Sequence, residues 1–202
     1  NIRTFDGGDR YFQACSNNDG LSGSGPWGAN DQRWYFTAYP DCKSGSGFTR
    51  GWGFRTEIGT AVVPNYESLI KFMPEENLWP VNDMWNIHYY GPSAFNATPE
   101  RHSAVIENSY GGAKDAKEFC EKSQWVNYES NKALYEGWLD HMWNDATGVM
   151  LWMSGASYPC MVWQTYDYYY DLTGAYFGCK QACEPVHIYW NPVTEEVKVA
   201  NT

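Results

Sequence analysis

The longest regular pattern of apolar and polar positions lies in the second half of the chain, between about Ala113 and Asp145. Apolar residues recur there every three or four positions and charged residues occupy the opposite face, which is typical of an amphipathic α-helix. The apolar positions are Ala116, Phe119, Cys120, Val126, Ala133, Leu134, Trp138 and Met142, and the charged ones are Lys117, Glu121, Lys122, Glu129, Lys132 and Glu136. We therefore predict a long helix that Thr147-Gly148 ends.

Four short apolar or aromatic runs have the length and composition of β-strands. They are Arg10–Cys15, Arg33–Thr37, Trp52–Glu57 and Val149–Met153. Long excursions follow each run and helical segments intervene, so the order indicates a parallel sheet with a site at the carboxyl ends of its strands. Residues 20–50 are otherwise rich in Gly and Ser, and irregular regions of that length are usually functional.

Smaller elements complete the prediction. A short helix is expected over Asn65–Met73, and Pro74–Pro99 is expected to form an irregular, aromatic lid or insertion. Thr173 can cap a helix that runs to about Cys183. His187–Trp190 and Glu195–Ala200 alternate about a turn, which predicts a β-hairpin and a change of domain near residue 184.

Chain length limits this architecture. The chain has 202 residues, whereas a complete eight-stranded α/β barrel needs about 250. Four strands cannot close such a barrel, and an open half would expose unpaired edges and half of a core. The missing strands are therefore expected to come from outside this sequence.

Charge and hydropathy exclude two classes of partner. The 24 acidic and 14 basic residues give a net charge of −10, which opposes binding through phosphates, so a nucleic-acid partner is not expected. No apolar run approaches the roughly 20 residues of a membrane helix, and Asn1 opens no visible signal peptide. Membrane association is not expected either.

The aromatic content favours carbohydrate. Aromatic residues make up 18% of the chain, with 11 Trp and 16 Tyr, and many lie in segments rich in Gly, Pro and Asn. Sugar rings present apolar C–H faces that stack on indole and phenol rings, while their hydroxyls meet the polar ring atoms. An aromatic-rich core accounts for part of the same signal.

Cysteine and histidine show no metal-binding pattern. The six cysteines form neither a C-x-x-C motif nor a quartet with histidine, and mostly buried thiols are favoured over disulfides. The four histidines, His88, His102, His141 and His187, are expected to be structural or on the surface. No metal or organic cofactor is implied.

Glu57 is the main candidate for chemistry. Glu57 ends an aromatic strand that begins at Gly51-Trp52-Gly53-Phe54, and Gly59 follows it. The glycines on both sides permit a sharp turn, so the strand delivers one carboxylate into that turn. A buried acid at a strand end can be held in one orientation with a tuned pKa, as a nucleophile or proton donor requires. The alternative is an ordinary glutamate that faces solvent.

Several motifs in fixed order resemble glycoside hydrolase family two. They are Gly53–Gly59 (GFRTEIG), Thr147–Met153 (TGVMLWM), Thr173–Gly178 (TGAYFG) and Glu184–Ile188 (EPVHI), supported by Phe119–Lys122 (FCEK). The similarity covers nearly the whole chain and is strongest to the branch of exo-β-glucosaminidases, β-mannosidases and plant mannosylglycoprotein endo-β-mannosidases. This ordered set is more specific than any single motif.

The resemblance implies a fold. Residues 1–183 would form the C-terminal half of a catalytic (β/α)8 TIM barrel of the α/β class, and residues 184–202 would begin an immunoglobulin-like β-sandwich. It also implies a carbohydrate substrate, the remainder of the same enzyme as partner, and a secreted, periplasmic or lysosomal or vacuolar location.

The resemblance also implies site residues. Glu57 matches the family's nucleophile at the end of the seventh strand, and Trp152 matches the aromatic floor beneath the sugar at the end of the eighth. Tyr35 could orient the nucleophile, with ordinary packing as the alternative. The other substrate-binding candidates are Asn17, Trp34 and Trp163.

One half of the chemistry is expected elsewhere. Retaining glycosidases need two carboxyl groups about 5 to 5.5 Å apart, and the family's acid/base belongs to the fourth strand, upstream of Asn1. None of Asp9, Asp19 and Asp31 occupies that motif, so this chain alone is expected to be inactive. The open alternatives are a β-mannosidase, an exo-β-glucosaminidase acting on chitosan oligomers, and a non-catalytic carbohydrate-binding fragment of a barrel.

Overall fold

The structure is a computed structural model that describes residues 2–10, 12, 16, 25–37, 52–89 and 97–202. Its helices are α1 (Ile2–Phe5), α2 (Gln32–Tyr35), α3 (Tyr66–Leu69), α4 (Asp83–His88), α5 (Pro99–Tyr110), α6 (Ala116–His141) and α7 (Gly174–Ala182), with a 3₁₀ turn at Glu75–Asn77. Its strands are β1 (Gly53–Ile58), β2 (Ala146–Leu151), β3 (Val186–Asn191) and β4 (Glu196–Asn201). The result is an α/β fold with a small parallel sheet.

Helix α6 confirms the strongest pattern in the sequence. The side chain of Asp115 caps it by accepting a hydrogen bond of 2.8 Å from the amide of Glu118. The helix ends at His141, six residues before the predicted Thr147-Gly148, because those two residues belong to β2. Its apolar face covers the sheet and the loops above it.

The parallel sheet confirms two of the four predicted strands. Phe54 of β1 pairs with Gly148 of β2, and Ile58 pairs with Leu151. A third segment lies beside the other edge of β1, where Pro26 forms an isolated parallel bridge with Gly59. The prediction for Arg10–Cys15 lies mainly outside the described residues.

The strand predicted over Arg33–Thr37 is wrong, because this segment contains helix α2. Asp31 accepts a hydrogen bond of 2.9 Å from the amide of Arg33 and so opens a helical turn. Tyr35 and Phe36 then both pack into the cluster between the sheet and α6. Their aromatic character reflects this burial and does not indicate a strand.

Part of the region predicted to be irregular is helical. The 3₁₀ turn and α4 lie within Pro74–Pro99, and α5 follows as a regular helix that the sequence pattern did not predict. Thr98 caps α5 through its hydroxyl, Pro99 occupies its first turn, and Gly111 ends it with a φ of 73°. The helices predicted over Asn65–Met73 and from Thr173 to Cys183 are confirmed as α3 and α7, the first of them shorter than predicted.

Two apolar clusters hold these elements together. One cluster lies between the sheet and α6 and includes Ile58, Leu134 and Trp138. The other packs the loops after the strands against α4, α5 and the first turns of α6, with Trp85 and Phe119 at its centre. Helix α7 approaches α6 so closely that a Cβ atom at Gly178 would overlap the carbonyl of Tyr128.

The predicted hairpin is confirmed as β3 and β4, which pair in antiparallel register from Val186–Asn201 to Asn191–Glu196. One face docks on α6, where His187 Nε2 lies 2.7 Å from Glu136 Oε1. Asp140 of α6 accepts further hydrogen bonds from the hairpin. The side chains on the opposite face are exposed and apolar: Val186, Ile188, Trp190, Val197 and Val199.

The structure also bears on the predicted state of the cysteines and on membrane helices. Cys120 and Cys160 are buried free thiols, as predicted, whereas the free thiol of Cys183 is exposed, and Cys15 and Cys42 lie outside the described residues. Among the residues that the structure describes, no helix has both the length and the apolar character needed to cross a membrane.

Candidate active site

Three chain segments meet at the carboxyl ends of the parallel strands. The amide of Trp27 donates to the carbonyl of Gly59 at 2.8 Å, and the amide of Trp152 donates to the carbonyl of Ile58 at 2.8 Å. These bonds bring Trp27 to one side of the end of β1 and Trp152 to the other. Glu57 is the penultimate residue of β1 and therefore lies at the same edge.

The path of β1 turns Glu57 away from α6. Ile58 packs in the cluster between the sheet and α6, and successive side chains of a strand point to opposite faces. The pairing of β1 with β2 is irregular between Arg55 and Ile58. This irregularity lets both side chains lie toward α6, where the guanidinium of Arg55 stands over the ring of Trp138. Glu57 consequently occupies the other face and is half-buried.

The carboxylate of Glu57 is available for a ligand. Within the described parts of the chain, no hydrogen bond or ion pair engages its side chain. A half-buried carboxylate without a structural partner differs from Asp31 or Asp115, whose carboxylates cap helices. An acid held on a strand and left unengaged can act as a nucleophile or bind a substrate hydroxyl.

Three tryptophans form an aromatic corner beside Glu57. The rings of Trp27 and Trp152 stand nearly perpendicular, with centroids 6.5 Å apart and an interplanar angle of 79°. Trp163 packs behind Trp27 at 5.0 Å and donates its indole N–H to the carbonyl of Trp27 at 2.8 Å. Trp152 is 42% exposed whereas Trp163 is 8% exposed, so the ring of Trp152 is accessible and that of Trp163 is buried behind the corner.

The contacts of Tyr35 correspond to the packing alternative of the prediction. Its buried hydroxyl lies 3.0 Å from the hydroxyl of Thr60 and accepts from the amide of Asn30, so it ties α2 to the chain just after β1. Burial raises the pKa of this phenol, which keeps it neutral. Among the described residues its hydroxyl makes no hydrogen bond to Glu57, and its bonds to Asn30 and Thr60 support the loop after β1.

The structure describes one of the two remaining substrate-binding candidates. Trp34 is 37% exposed and packs edge-on against Tyr35, with ring centroids 5.5 Å apart. Asn17 and Asp19 lie outside the described residues. Asp31 serves as the cap of α2.

The histidines have structural partners. His88 contacts the carbonyl of Pro159, His141 contacts Asp145, and His187 contacts Glu136. Burial lowers the pKa of His102 to about 4, so this imidazole is neutral in the core. Among the described residues, no group of three or more His, Cys, Asp or Glu side chains could hold a metal ion.

Sequence reasoning missed Trp27. It lies in Gly25-Pro26-Trp27-Gly28, inside the segment expected to be irregular, and no periodicity marks it as part of a sheet. The available signal was Gly-Pro followed by a large aromatic residue, since such turn formers often follow a strand at a functional edge.

The chain is similar in sequence to known glycosidases. No family model matches the chain. The mannosylglycoprotein endo-beta-mannosidase of Lilium longiflorum is 32% identical over 166 residues, which are 75% of this chain and 17% of that enzyme. The exo-beta-D-glucosaminidase of Hypocrea jecorina is 28% identical over 203 residues, which are 95% of this chain and 22% of that enzyme.

A solved structure shares the fold. The exo-chitosanase CsxA of Amycolatopsis orientalis superposes with a TM-score of 0.71 at 24% identity, over 90% of this chain and 22% of that enzyme. The chain thus spans about a fifth of the length of the proteins it matches. These relatives, an endo-beta-mannosidase and exo-beta-D-glucosaminidases, match the branch of glycoside hydrolase family two that the ordered motifs of the chain resemble.

Proposed function

We propose that this chain supplies half of the active site of a retaining β-glycosidase, with Glu57 as the nucleophile. The observation that carries the proposal is the half-buried carboxylate of Glu57 at the carboxyl end of a parallel strand, near the exposed ring of Trp152, with no hydrogen bond or ion pair from the described residues. Strand ends of this kind hold the reacting groups in α/β barrels. Trp152 would stack on the sugar ring while Glu57 attacks it.

The proposal includes the domain organisation. Residues 1–183 would be the C-terminal half of a (β/α)8 barrel, and residues 184–202 would begin an immunoglobulin-like sandwich. Among the described residues the parallel sheet has two strands, and parallel sheets are normally larger and buried on both faces, which supports the first part. The exposed apolar face of β3 and β4 supports the second, since a sandwich would cover it with another sheet.

The mechanism would be a double displacement. A carboxylate oxygen of Glu57 attacks the anomeric carbon, the glycosidic C–O bond breaks, and a second carboxyl group protonates the leaving oxygen. Water then attacks the glycosyl ester, gives its proton to that second group, and releases Glu57 as a carboxylate. The second group would come from the part of the enzyme outside these 202 residues, so this chain alone would not turn over.

The preferred substrate class is a terminal or internal β-mannosidic linkage of an oligosaccharide. The 32% identity to a mannosylglycoprotein endo-beta-mannosidase supports this choice. The alternative is exo-β-glucosaminidase activity on chitosan oligomers. It is supported by the 95% coverage of the chain in the glucosaminidase match, and the net charge of −10 suits a cationic amino sugar.

The test uses the full-length enzyme. Aryl β-mannoside and chitosan oligomers are assayed in parallel, with Glu57→Gln and the exposed control Glu67→Gln. Glu57→Gln should lower kcat by about three orders of magnitude or more, because binding cannot replace a covalent step, while Glu67→Gln should retain wild-type rates. A 2-fluoroglycoside should label the peptide that contains Glu57.

Two outcomes would contradict the proposal. Retained activity in Glu57→Gln would remove Glu57 as the nucleophile, and turnover by the isolated 202-residue chain would remove the need for an external acid/base. Sugar binding without hydrolysis of either substrate would instead identify a non-catalytic carbohydrate-binding barrel, the alternative from another class.

A further inference from the structure

Trp27 is held in a backbone conformation that bulky residues rarely adopt. Its φ is 70°, in the left-handed region that favours glycine. Such a conformation persists only where the surroundings over-determine it, and this is common at ligand-binding sites. For Trp27, the amide donates to Gly59 and the carbonyl accepts from the indole of Trp163.

Trp163 is itself rigidly held. The amide of Met153, just after Trp152, donates to the carbonyl of Trp163 at 2.9 Å, and the amide of Val162 donates to Val62 at 2.9 Å. Trp163 therefore links the chain after β2 to the carbonyl of Trp27, on the far side of β1. Trp163 thus joins the segment that carries Trp27 to the segment that carries Trp152.

The corner has the shape of a sugar-binding subsite. Two indole rings at 79° can contact a pyranose on its C–H face and along one edge at the same time. Neither ring brings a charge, so hydroxyl specificity would come from polar groups such as the carboxylate of Glu57. Trp163, at 8% exposure, cannot make such a contact itself.

We propose that Trp27 is a sugar-binding wall of this site and that Trp163 is a positioning residue that sets the orientation of Trp27. The assignment rests on the proposed glycosidase function and names the walls of its subsite. The ligand class is a pyranoside with an apolar C–H face, bound beside the Glu57 carboxylate. Trp163 acts through its indole N–H, so a ring of similar size without this donor would not replace it.

The experiment measures kcat and KM of the full-length enzyme with 4-nitrophenyl β-mannoside and the corresponding β-glucosaminide. The variants are Trp27→Ala, Trp163→Phe, their combination, and the control Trp143→Phe, whose ring is 72% exposed. Trp27→Ala should raise KM about tenfold by removing the stacking surface. Trp163→Phe keeps a ring and loses one hydrogen bond, so KM should rise about three- to tenfold. Trp143→Phe should change neither parameter.

The combined variant separates positioning from general support. If Trp163 acts through Trp27, Trp163→Phe should raise KM by less than about twofold in the Trp27→Ala background. Multiplied effects, or an unchanged KM in Trp27→Ala or Trp163→Phe, would overturn the proposal. A loss confined to kcat or to the yield of folded enzyme would also overturn it.

Glu57→Gln distinguishes the two proposals. If Glu57→Gln is inactive and the tryptophan variants behave as wild type, only the subsite assignment fails. If Glu57→Gln is fully active while KM responds as expected, the nucleophile assignment fails and the subsite stands. If neither glycoside is hydrolysed, the same variants are compared by the affinity of mannotriose and chitotriose in calorimetry, with the same expected ratios.

Discussion

The backbone of Trp152 passes so close to Gly59 that a Cβ atom at Gly59 would overlap the carbonyl oxygen of Trp152. The hydrogen bond from the amide of Trp152 to the carbonyl of Ile58 fixes the two strand ends at this separation. The glycine therefore sets where the exposed indole of Trp152 stands relative to Glu57.

Gly59→Ala should consequently damage the site without touching a reacting group. The added methyl group must displace backbone atoms, and overpacking of this kind costs about 1 to 3 kcal/mol. We expect faster hydrogen exchange in the peptides that cover β1 and β2 of the full-length enzyme, together with a raised KM. Gly155→Ala, where a Cβ atom meets nothing within 4 Å, is the control and should behave as wild type.

The features that sequence predicted well have strong local periodicity. α6 repeats its apolar positions over 26 residues, and β3 and β4 alternate about a turn, so each pattern specifies one element by itself. The carboxylate at the end of β1 was found because glycines flank an aromatic strand. Such local signals do not depend on distant contacts.

The features that sequence missed depend on distant contacts. Trp27 enters the site only because Gly59 and Trp163, which lie 32 and 136 residues away, accept and donate its backbone hydrogen bonds. α2 is a single helical turn that Asp31 caps. Its aromatic residues have the sequence pattern of a strand, and only the tertiary packing against α6 explains them. The hydroxyl of Tyr35 likewise finds Thr60 through the tertiary fold.

The buried pair Glu136 and His187 should couple α6 to the hairpin. Glu136 Oε1 lies 2.7 Å from His187 Nε2 and 2.6 Å from Lys132 Nζ. Glu136→Leu leaves both partners without their acceptor, and removing one member of a buried pair typically costs about 3 to 5 kcal/mol. Hydrogen exchange in β3 should report this loss.

The double variant Glu136→Leu, His187→Phe should recover part of the loss, because two apolar groups can replace a buried polar pair. Additive losses in the double-variant cycle would show that the two side chains are not coupled.

His102 should make the region of α5 sensitive to acid. Burial lowers its pKa to about 4 from an ordinary value of 6.5, so the unfolded chain takes up a proton first as the pH falls. Stability is therefore lost between about pH 6.5 and 4, and the total loss is about 3 kcal/mol at 1.36 kcal/mol per pKa unit. His102→Gln should remove this dependence.

The measurement is hydrogen exchange of peptides from α5, corrected for intrinsic rates, at pH 7 and 4.5. His141→Gln is the control, because His141 is partly exposed and its imidazole contacts Asp145. If His102→Gln shows the same acid loss as the wild type, the titrating group lies elsewhere.

Asp140 should control how the hairpin docks at low pH. Burial acts to raise the pKa of this carboxyl, but hydrogen bonds from Lys198, Asn191 and Tyr189 at 2.7, 2.9 and 3.1 Å outweigh burial and hold it below its usual range. A depressed carboxyl pKa adds stability that is complete above the unfolded pKa, near 3.9, and is lost as the pH falls through the folded value. Lys198 has a raised pKa, mainly through its hydrogen bond to Asp140, so its share is present at neutral pH and is lost only in strong alkali.

Asp140→Asn should therefore weaken docking at pH 7 and flatten its decline below about pH 4. Charge-assisted hydrogen bonds contribute about 1.5 to 3 kcal/mol each at most, and the partial exposure of Lys198 reduces the part due to charge. Exchange in the peptides of β3 and β4 should rise about tenfold or more at pH 7. Glu196→Gln is the matched control, since Glu196 is exposed and 3.6 Å from Lys198, and it should have little effect. If both variants accelerated exchange equally, net surface charge and not the Asp140 hydrogen bonds would hold the hairpin on α6.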